Sequence, residues 1–418
     1  MDADVIIVGA GAAGLMAAMI AAREGAEVLL LERNKNIGRK LLITGAGRCN
    51  LTNNTEVNEL VNNIPGNGRF LYSVFQKFGP QELMNLVESE FNVPLKVERG
   101  RRVFPESDKA VDIVAGFEKT LKKLGVRILN NVRVNQIMKD ESNSVVGVKA
   151  VNGDKYLANK VIVATGGASY PGTGSTGDGY QLARSVGHSV IDIYPSLVPL
   201  ETFEEWPQDV EGLTLNNVEV SCYHKDRKIG SEFGDLLFTS YGVSGPTVLS
   251  LSRSVVPLVL KEPKSVKLEI DLKPALTVEE LDRRLQRDFE KYSRKLYKNA
   301  LDDLLPKSLI PVMIELSKID GLKPVHQVTR AERQQLVGLF KGLALLVEKP
   351  RPFSEAIVTA GGVNVKEINP KTMESKLVSG LYFIGEVVDV DGYTGGYNLQ
   401  IAFSMGYIAG KHAANLDE

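Results

Sequence analysis

Cysteine and histidine are scarce in this 418-residue chain, which holds two cysteines, Cys49 and Cys222, and four histidines. Two cysteines so far apart supply neither a disulfide framework nor a Cys-x-x-Cys redox pair, and a reducing cytoplasm is the expected setting. The scattered histidines offer no metal-ligand spacing, and Glu386, Asp389 and Asp391 fit no hard-cation loop, so no metal site is expected. A formal net charge of -1 exerts no global pull on nucleic acid or an anionic membrane. No nucleophile–base–acid set suggests hydrolysis. One uncharged run, from Val5 to Ala22, reaches the lower edge of about 18 residues at which a membrane span is considered. It holds three glycines at phosphate-loop spacing, follows Asp2 and Asp4 rather than a basic leader, and begins like a strand. A buried strand–helix unit is the better reading.

What is present is an ordinary globular composition, with 43% apolar and 24% charged residues and 39 glycines. The length suits about two to three domains. The organising stretch is Asp4-Val-Ile-Ile-Val-Gly9-Ala-Gly11-Ala-Ala-Gly14. Val5 to Val8 reads as a buried parallel strand. Gly9 would make the tight turn, Gly11 would admit a pyrophosphate to the backbone, and Gly14 would let a helix from about Ala12 to Arg23 pack closely. That helix would point its first N–H groups at the phosphates. Val28 to Leu31 gives a second strand ending at Glu32, where a carboxylate can accept the hydroxyls of an adenosine ribose without a 2′-phosphate.

A second glycine-rich passage runs from Gly38 to Asn53, with basic residues at Arg39, Lys40 and Arg48, and suggests a loop along an anionic or electron-rich ligand. Cys49 is read as buried filler beside that ligand, with a reactive thiol paired to Arg48 as the alternative. Val97 to Pro105 looks like a hairpin whose three arginines are either solvated or turned to an anionic substrate. Lys160 to Gly167 returns to the parallel sheet. The glycines at 172, 174 and 177 repeat the phosphate-loop pattern, but seven residues separate Ala164 from Gly172, so they are read as a loop packed on the first cofactor, not as a nicotinamide domain.

Beyond His188 short alternating runs, such as Val218 to Cys222, Leu236 to Thr239 and Val266 to Ile270, predict a separate β domain or small barrel. Thr277 and Glu280 form a capping box that opens a helical cluster. Arg283, Arg287, Lys291, Arg294 and Lys298 follow steps of three or four and predict one cationic helical stripe, either a solvated face or an RNA contact. Asp282, Asp288 and Glu290 are interleaved with it. The last sixty residues return to α/β character, with Gly385-Glu386, a loop from Gly392 to Asn398, and a closing helix from about Leu399 to Asn415.

Taken together, Val5 to Glu32, Gly38 to Asn50, Thr165-Gly-Gly167, and Gly385-Glu386 through Gln400 closely resemble the FAD-dependent flavoproteins that include aminoacetone oxidase and a bile-acid dehydro-reductase. The resemblance covers essentially the whole chain. It implies an α/β, Rossmann-like FAD domain built from both chain ends (1–192 and 355–418), a β-barrel-like insert (193–275 and 347–354) and a helical insert (276–346). By the same resemblance Gly9, Gly11, Ala12, Ala13 and Gly14 would flank the pyrophosphate, and Glu32 with Arg33 would meet the adenosine ribose. Arg39, Lys40, Ala46, Gly47, Arg48, Cys49 and Asn50 would run near the ribityl chain and flavin. Val134 would pass the adenine, and Ala164, Thr165 and Gly166 would form the nucleotide wall. Gly385 and Glu386 would meet the phosphate–ribityl region, with Tyr397, Asn398 and Leu399 at the pyrimidine side of the ring. Glu386 stands where Asp is often found, which leaves its hydrogen bond open.

The expected activity is that of an FAD-dependent oxidoreductase, passing hydride through flavin N5 with NADH or NADPH as a transient donor and a small organic molecule or oxygen as acceptor. No catalytic residue is assigned, although Arg48, Tyr393 and Tyr397 invite inspection. The alternatives are a non-catalytic flavin module and an RNA-binding or tRNA-modifying flavoprotein. A small-molecule partner is expected, without nucleic acid or membrane.

Overall fold

The computed structural model describes residues 1–415. Packing divides the chain into two units, residues 1–194 with 356 onward, and Pro195–Glu355. In the first unit five strands form a parallel sheet in the order Leu381–Phe383, Lys160–Val163, Val5–Val8, Val28–Glu32, Arg127–Asn130. Val5–Val8 and Val28–Glu32 are buried throughout, which is why they read as unbroken apolar runs rather than alternating ones. From Val5–Val8 the chain crosses to one neighbour, Val28–Glu32, and returns much later on the other side as Lys160–Val163. The strand order therefore reverses at Gly9 and Ala164, and the crevice beyond such a reversal is where open α/β sheets take ligands. The uncharged Val5–Ala22 run divides into this strand and the helix Ala12–Arg23. Among the described residues no helix is long and apolar enough to cross a membrane.

The closing helix spans Tyr397–Ala414 and lies against Ala12–Arg23. A Cβ at Gly406 would collide with Ala13 O, and one at Gly410 would come within 2.5 Å of Ala17 O. The two contacts advance by four residues on both helices, so the pair is parallel and packed backbone to backbone. Gly406 lies nine residues into its helix and Ala13 one residue into the other. At 1.5 Å per residue the closing helix therefore begins about 12 Å beyond the start of Ala12–Arg23.

In the second unit six strands close a barrel in the order Leu200–Thr202, Gly242–Ser244, Arg227–Thr239, Thr214–His224, Val266–Asp271, Leu343–Pro350. The alternation of Val266–Asp271 is realised residue by residue, with Val266, Leu268 and Ile270 buried. Lys225 and Asp226, both left-handed, form the two-residue turn between the longest strands. The helix Pro246–Lys261 lies within the stretch read as short strands. Its β-branched residues and Pro257 disguise it, yet Val248, Leu251, Val255 and Val259 are buried at helical spacing. Val278–Lys291, Ile310–Ser317 and Arg330–Lys341 are further α-helices of the same unit. The capping box forms, with Thr277 Oγ1 accepting from Glu280 N and Glu280 Oε2 from Thr277 N. The single cationic stripe does not: the helix ends at Lys291, so Arg294 and Lys298 leave its line, and Lys291 pairs with Asp303 at 2.7 Å.

Candidate functional site

Three glycines at the end of the first strand do three different things. Gly9 has φ +104°, and a Cβ there would lie 2.5 Å from Ala164 O. A Cβ on Gly14 would collide with Gly9 O, so both positions are set by the protein's own packing. Gly11 has no atom within 4 Å of where its Cβ would stand, so its missing side chain serves space outside the chain. The helix it opens has no side-chain cap and no acid in its first turn. Its orphan N–H groups face an open cradle, which fits a pyrophosphate. Gly385, with φ +72°, brings the last loop of the sheet within 3.0 Å of Ala13 Cβ, measured from its own absent Cβ.

Glu32 is 6% exposed. Its Oε2 accepts from Ala10 N at 2.8 Å, and its Oε1 from Asn34 N at 2.8 Å and Asn34 Nδ2 at 2.7 Å. The carboxylate is thereby locked beside the glycine turn; Oε1 is filled by its two bonds from Asn34, while Oε2 keeps an acceptor direction for a ribose hydroxyl. Arg33 turns away, to Thr176 and, at 3.0 Å, to Asp178. Asn34 Nδ2 donates to Thr173 O, so these two residues tie the second glycine loop to the adenosine end. Arg39 donates to Asn34 Oδ1 at 3.0 Å. Val132 N donates to Glu32 O, which places the backbone leading into Val134 at the same end. Ala164 N donates to Val8 O, Thr165 lies against Gly9, and Gly166 has φ +72°.

Lys40 and Glu386 form the polar centre. Lys40 Nζ donates to Glu386 Oε2 and to Ser169 Oγ, both at 2.7 Å. Glu386 Oε1 accepts from Ser169 Oγ at 2.6 Å and from Thr359 N at 2.8 Å. Burial presses the carboxyl's pKa upward, but the Lys40 charge and these hydrogen bonds outweigh it, so Glu386 titrates below its ordinary range. The side chain left open by the sequence is thus held by protein, and the Gly385–Glu386 backbone remains toward the cradle. Sequence reasoning passed over Ser169, Thr359 and Asn34; Asn34 alone carried a signal, two residues after the acid.

At the far end, Gly45, Ala46 and Gly47 all have left-handed φ and form a shelf, exposed at Gly45 and Ala46 and half-buried at Gly47. Behind it Cys49 is fully buried, and burial pushes its thiol up to about 12, so it is neutral filler rather than a reactive thiolate. Arg48 points away from it, over the Phe104 ring at 4.1 Å and onto Glu98 and Asp108. Asn50, with its amide oriented to satisfy both neighbours, accepts from Gly396 N at 3.0 Å. The closing helix starts there with no acid in its first turn. Asn398 clamps its own loop, accepting from Gly392 N at 2.9 Å and donating to Gly392 O at 2.8 Å. Tyr397 is 7% exposed, and Leu399 is half-buried against the same core. The unpaired N–H groups of this first turn suit the electron-rich edge of a ring.

Ser375, His188 and Glu367 come together as no sequence reading foresaw. His188 Nε2 lies 2.7 Å from Ser375 Oγ, and Nδ1 lies 3.0 Å from Glu367. Ser375 Oγ already accepts from Leu377 N and Val378 N, and the imidazole is buried, so the group braces a turn and presents no nucleophile. Among the described residues no three His, Cys, Asp or Glu groups gather to hold a metal ion.

Residues 3–412 match the model of the HI0933-like protein Rossmann domain. The chain is 34% identical over 413 residues to a 3-dehydro-bile acid delta(4,6)-reductase of Clostridium scindens, covering 98% of each. It is 35% identical over 403 residues to a ribosomal RNA dihydrouridine synthase of Haemophilus influenzae, covering 96% of each. A solved 3-ketosteroid-delta4-(5alpha)-dehydrogenase from Rhodococcus jostii shares the fold, with a TM-score of 0.54, 18% identity, and coverage of 99% of this chain and 97% of that one.

Proposed function

The chain belongs to the HI0933-like family and is an FAD-dependent oxidoreductase, and from that membership we propose that it reduces a carbon–carbon double bond conjugated to a carbonyl. The observation that carries the reading is the strip of backbone between two uncapped helix starts. It begins at the open Gly11 cradle and ends at Tyr397, about 12 Å beyond the N-terminal end of Ala12–Arg23. Glu32 and the backbone near Val134 hold the adenosine; Gly9 to Gly14 and Gly385 hold the pyrophosphate. Lys40 and Glu386 fix the middle, and the shelf from Ala46 to Asn50 and the start of the closing helix would together hold the ring.

Bound FAD supplies hydride transfer. We infer NADH or NADPH as the reductant: the nicotinamide is oxidised, one alkene carbon gains hydride and its neighbour gains a proton from solvent. The two relatives matched along their whole length support this chemistry. A delta(4,6)-reductase and a dihydrouridine synthase both add hydrogen across a double bond, in an unsaturated keto acid and in uridine. The second relative also supports a ribosomal RNA substrate. The two buried, unpaired cysteines fit a reducing cytoplasm.

The test is anaerobic mixing of the holoenzyme with NADH or NADPH, followed by a 3-oxo-Δ4 steroid acid or a uridine-containing RNA. Bleaching of the flavin by nicotinamide and its recovery with either acceptor, with the saturated product identified by mass, is the expected result. A flavin that neither nicotinamide reduces, or that reoxidises only with oxygen, overturns the reading. Loss of yellow colour in a refolded, FAD-supplemented sample would remove the cofactor itself.

A further inference from the structure

The hairpin between Leu95–Glu98 and Arg102–Pro105 carries more positive charge than its neighbours neutralise. Three connections fix where this charge stands. Asn53 Nδ2 donates to Gly100 O at the hairpin tip (3.0 Å) and to Gly395 O in the loop before the closing helix (3.1 Å). Arg48, next to the glycine shelf, holds Glu98, the last residue before the hairpin's turn, and stacks on Phe104. Arg101 lies close enough to the start of the closing helix to act electrostatically on Tyr397. The tip is therefore pinned to both loops that border the ring end of the strip.

Five cations share three carboxylates here. Arg48 and Lys96 are held by Glu98 and Asp108, and Arg101 by Glu59 with Thr55. Arg102 donates its Nε to Arg99 O, lies 5.7 Å from the centre of the Phe104 ring, and has a 3.8 Å approach to Glu98, which Arg48 already occupies, as its one acidic contact among the described residues. Arg99 is exposed with no acidic partner among the described residues. An Arg that leaves its guanidinium free beside a ligand cradle is a ready fork for a carboxylate or phosphate.

We infer that Arg99 and Arg102 form an anion-recognising rim at the ring end of the site, so that the preferred substrate is an activated alkene bearing a carboxylate or a phosphodiester. The inference rests on the proposed alkene reduction, and names the charged class of substrate that the same site selects. Arg101 serves as the hinge of the rim rather than as part of the fork, because Glu59 and Thr55 already hold it.

The experiment compares charged and neutral members of two pairs on the FAD-loaded protein: a 3-oxo-Δ4 steroid with a side-chain carboxylate against its methyl ester, and a short oligouridylate against uridine. The ratio of kcat/KM for the charged member over the neutral one is read for wild type, Arg99→Glu with Arg102→Glu, and Arg99→Lys with Arg102→Lys. The rim predicts a charged preference in wild type in one pair, which identifies carboxylate or phosphodiester as the source. That preference should fall on the order of tenfold in the Glu variant through KM, and be partly restored in the Lys variant. A ratio that the Glu variant leaves unchanged overturns the rim. If wild type reduces neither pair, the alkene reading fails, and titration of the oxidised flavin spectrum with inorganic sulfate decides the rim separately. A saturable spectral change that is lost in the Glu variant upholds it, and no change in wild type removes it.

Discussion

The two parallel helices of the first unit begin in contrasting ways. Ala12–Arg23 is started by a turn whose parts lie within a few residues of one another, Gly9 to Gly14, and its geometry is set by local collisions. Tyr397–Ala414 is started by residues from the opposite end of the chain: Asn50 receives Gly396 N, and Thr52 backbone leaves no room for a side chain on Gly396. Thr52 Oγ1 also donates to Gln400 Oε1, which is buried. One start is a local motif; the other exists only once distant segments have met. Substitutions at the first should therefore separate folding from binding cleanly, and substitutions between the two should disturb both.

The largest effect falls inside the local turn. Gly14→Ala drives a methyl into Gly9 O and should cost about 3 kcal/mol of stability, read by urea denaturation of the apoprotein. Gly11→Val adds a larger side chain where nothing stands, so the fold should persist while FAD is lost on gel filtration. Equal destabilisation by both would mean that the three glycines act together and that Gly11 has no separate role toward a ligand.

A middle-sized effect tests the join between the two ends. Lys40→Met removes the cation that Glu386 and Ser169 share, and should cost about 2 kcal/mol at pH 7. Glu386 titrates below its unfolded value, which is about 4.3. Its contribution to stability is present above that value and is lost as pH falls through the folded pKa. Without Lys40 the carboxyl loses the leading cause of that depression and keeps only the bonds from Ser169 and Thr359 N against the effect of burial. The variant should therefore lose less stability than wild type between about pH 5 and 3. Parallel pH curves for the two proteins would show that Lys40 does not set the titration of Glu386.

The same contrast explains what could be read from the chain. The parallel strands, the glycine turn, Glu32 and the capping box at Thr277 are consequences of residues close in sequence, and their patterns survive on paper. The Lys40–Glu386–Ser169–Thr359 network is not local: its members come from four segments, and only folding shows that Glu386 is occupied by protein. Arg48 looked like a ligand contact because its glycine neighbours do, yet Glu98 and Asp108 claim it from elsewhere. The helix Pro246–Lys261 was hidden by β-branched residues whose strand preference tertiary packing overrides. The cationic stripe failed for a smaller reason, since a periodic pattern continued past the residue at which the helix stops.

In the second unit a smaller, purely local effect provides the control. Thr277→Ala removes the hydroxyl that accepts Glu280 N and should cost about 1 kcal/mol, with flavin content and spectrum unchanged. A change in the flavin spectrum would show that this cap communicates with the first unit.

The smallest expected effect is no reaction at all. Cys49 stands behind the glycine shelf and Cys222 inside the barrel, and burial is the leading cause that raises both thiols, to about 12 and about 11. A thiolate is the form that attacks a disulfide reagent, and at pH 8 neither site supplies an appreciable amount of it. Native protein should therefore take up no label from an aromatic disulfide reagent, and urea-unfolded protein should take up two equivalents, one for each cysteine. The comparison between the two residues carries the argument. If both stay silent, Cys49 is filler of the same kind as Cys222, despite its place beside the cofactor strip. If Cys49 alone reacts, and faster in apoprotein than in holoprotein, the shelf opens when FAD leaves and the thiol is part of the site.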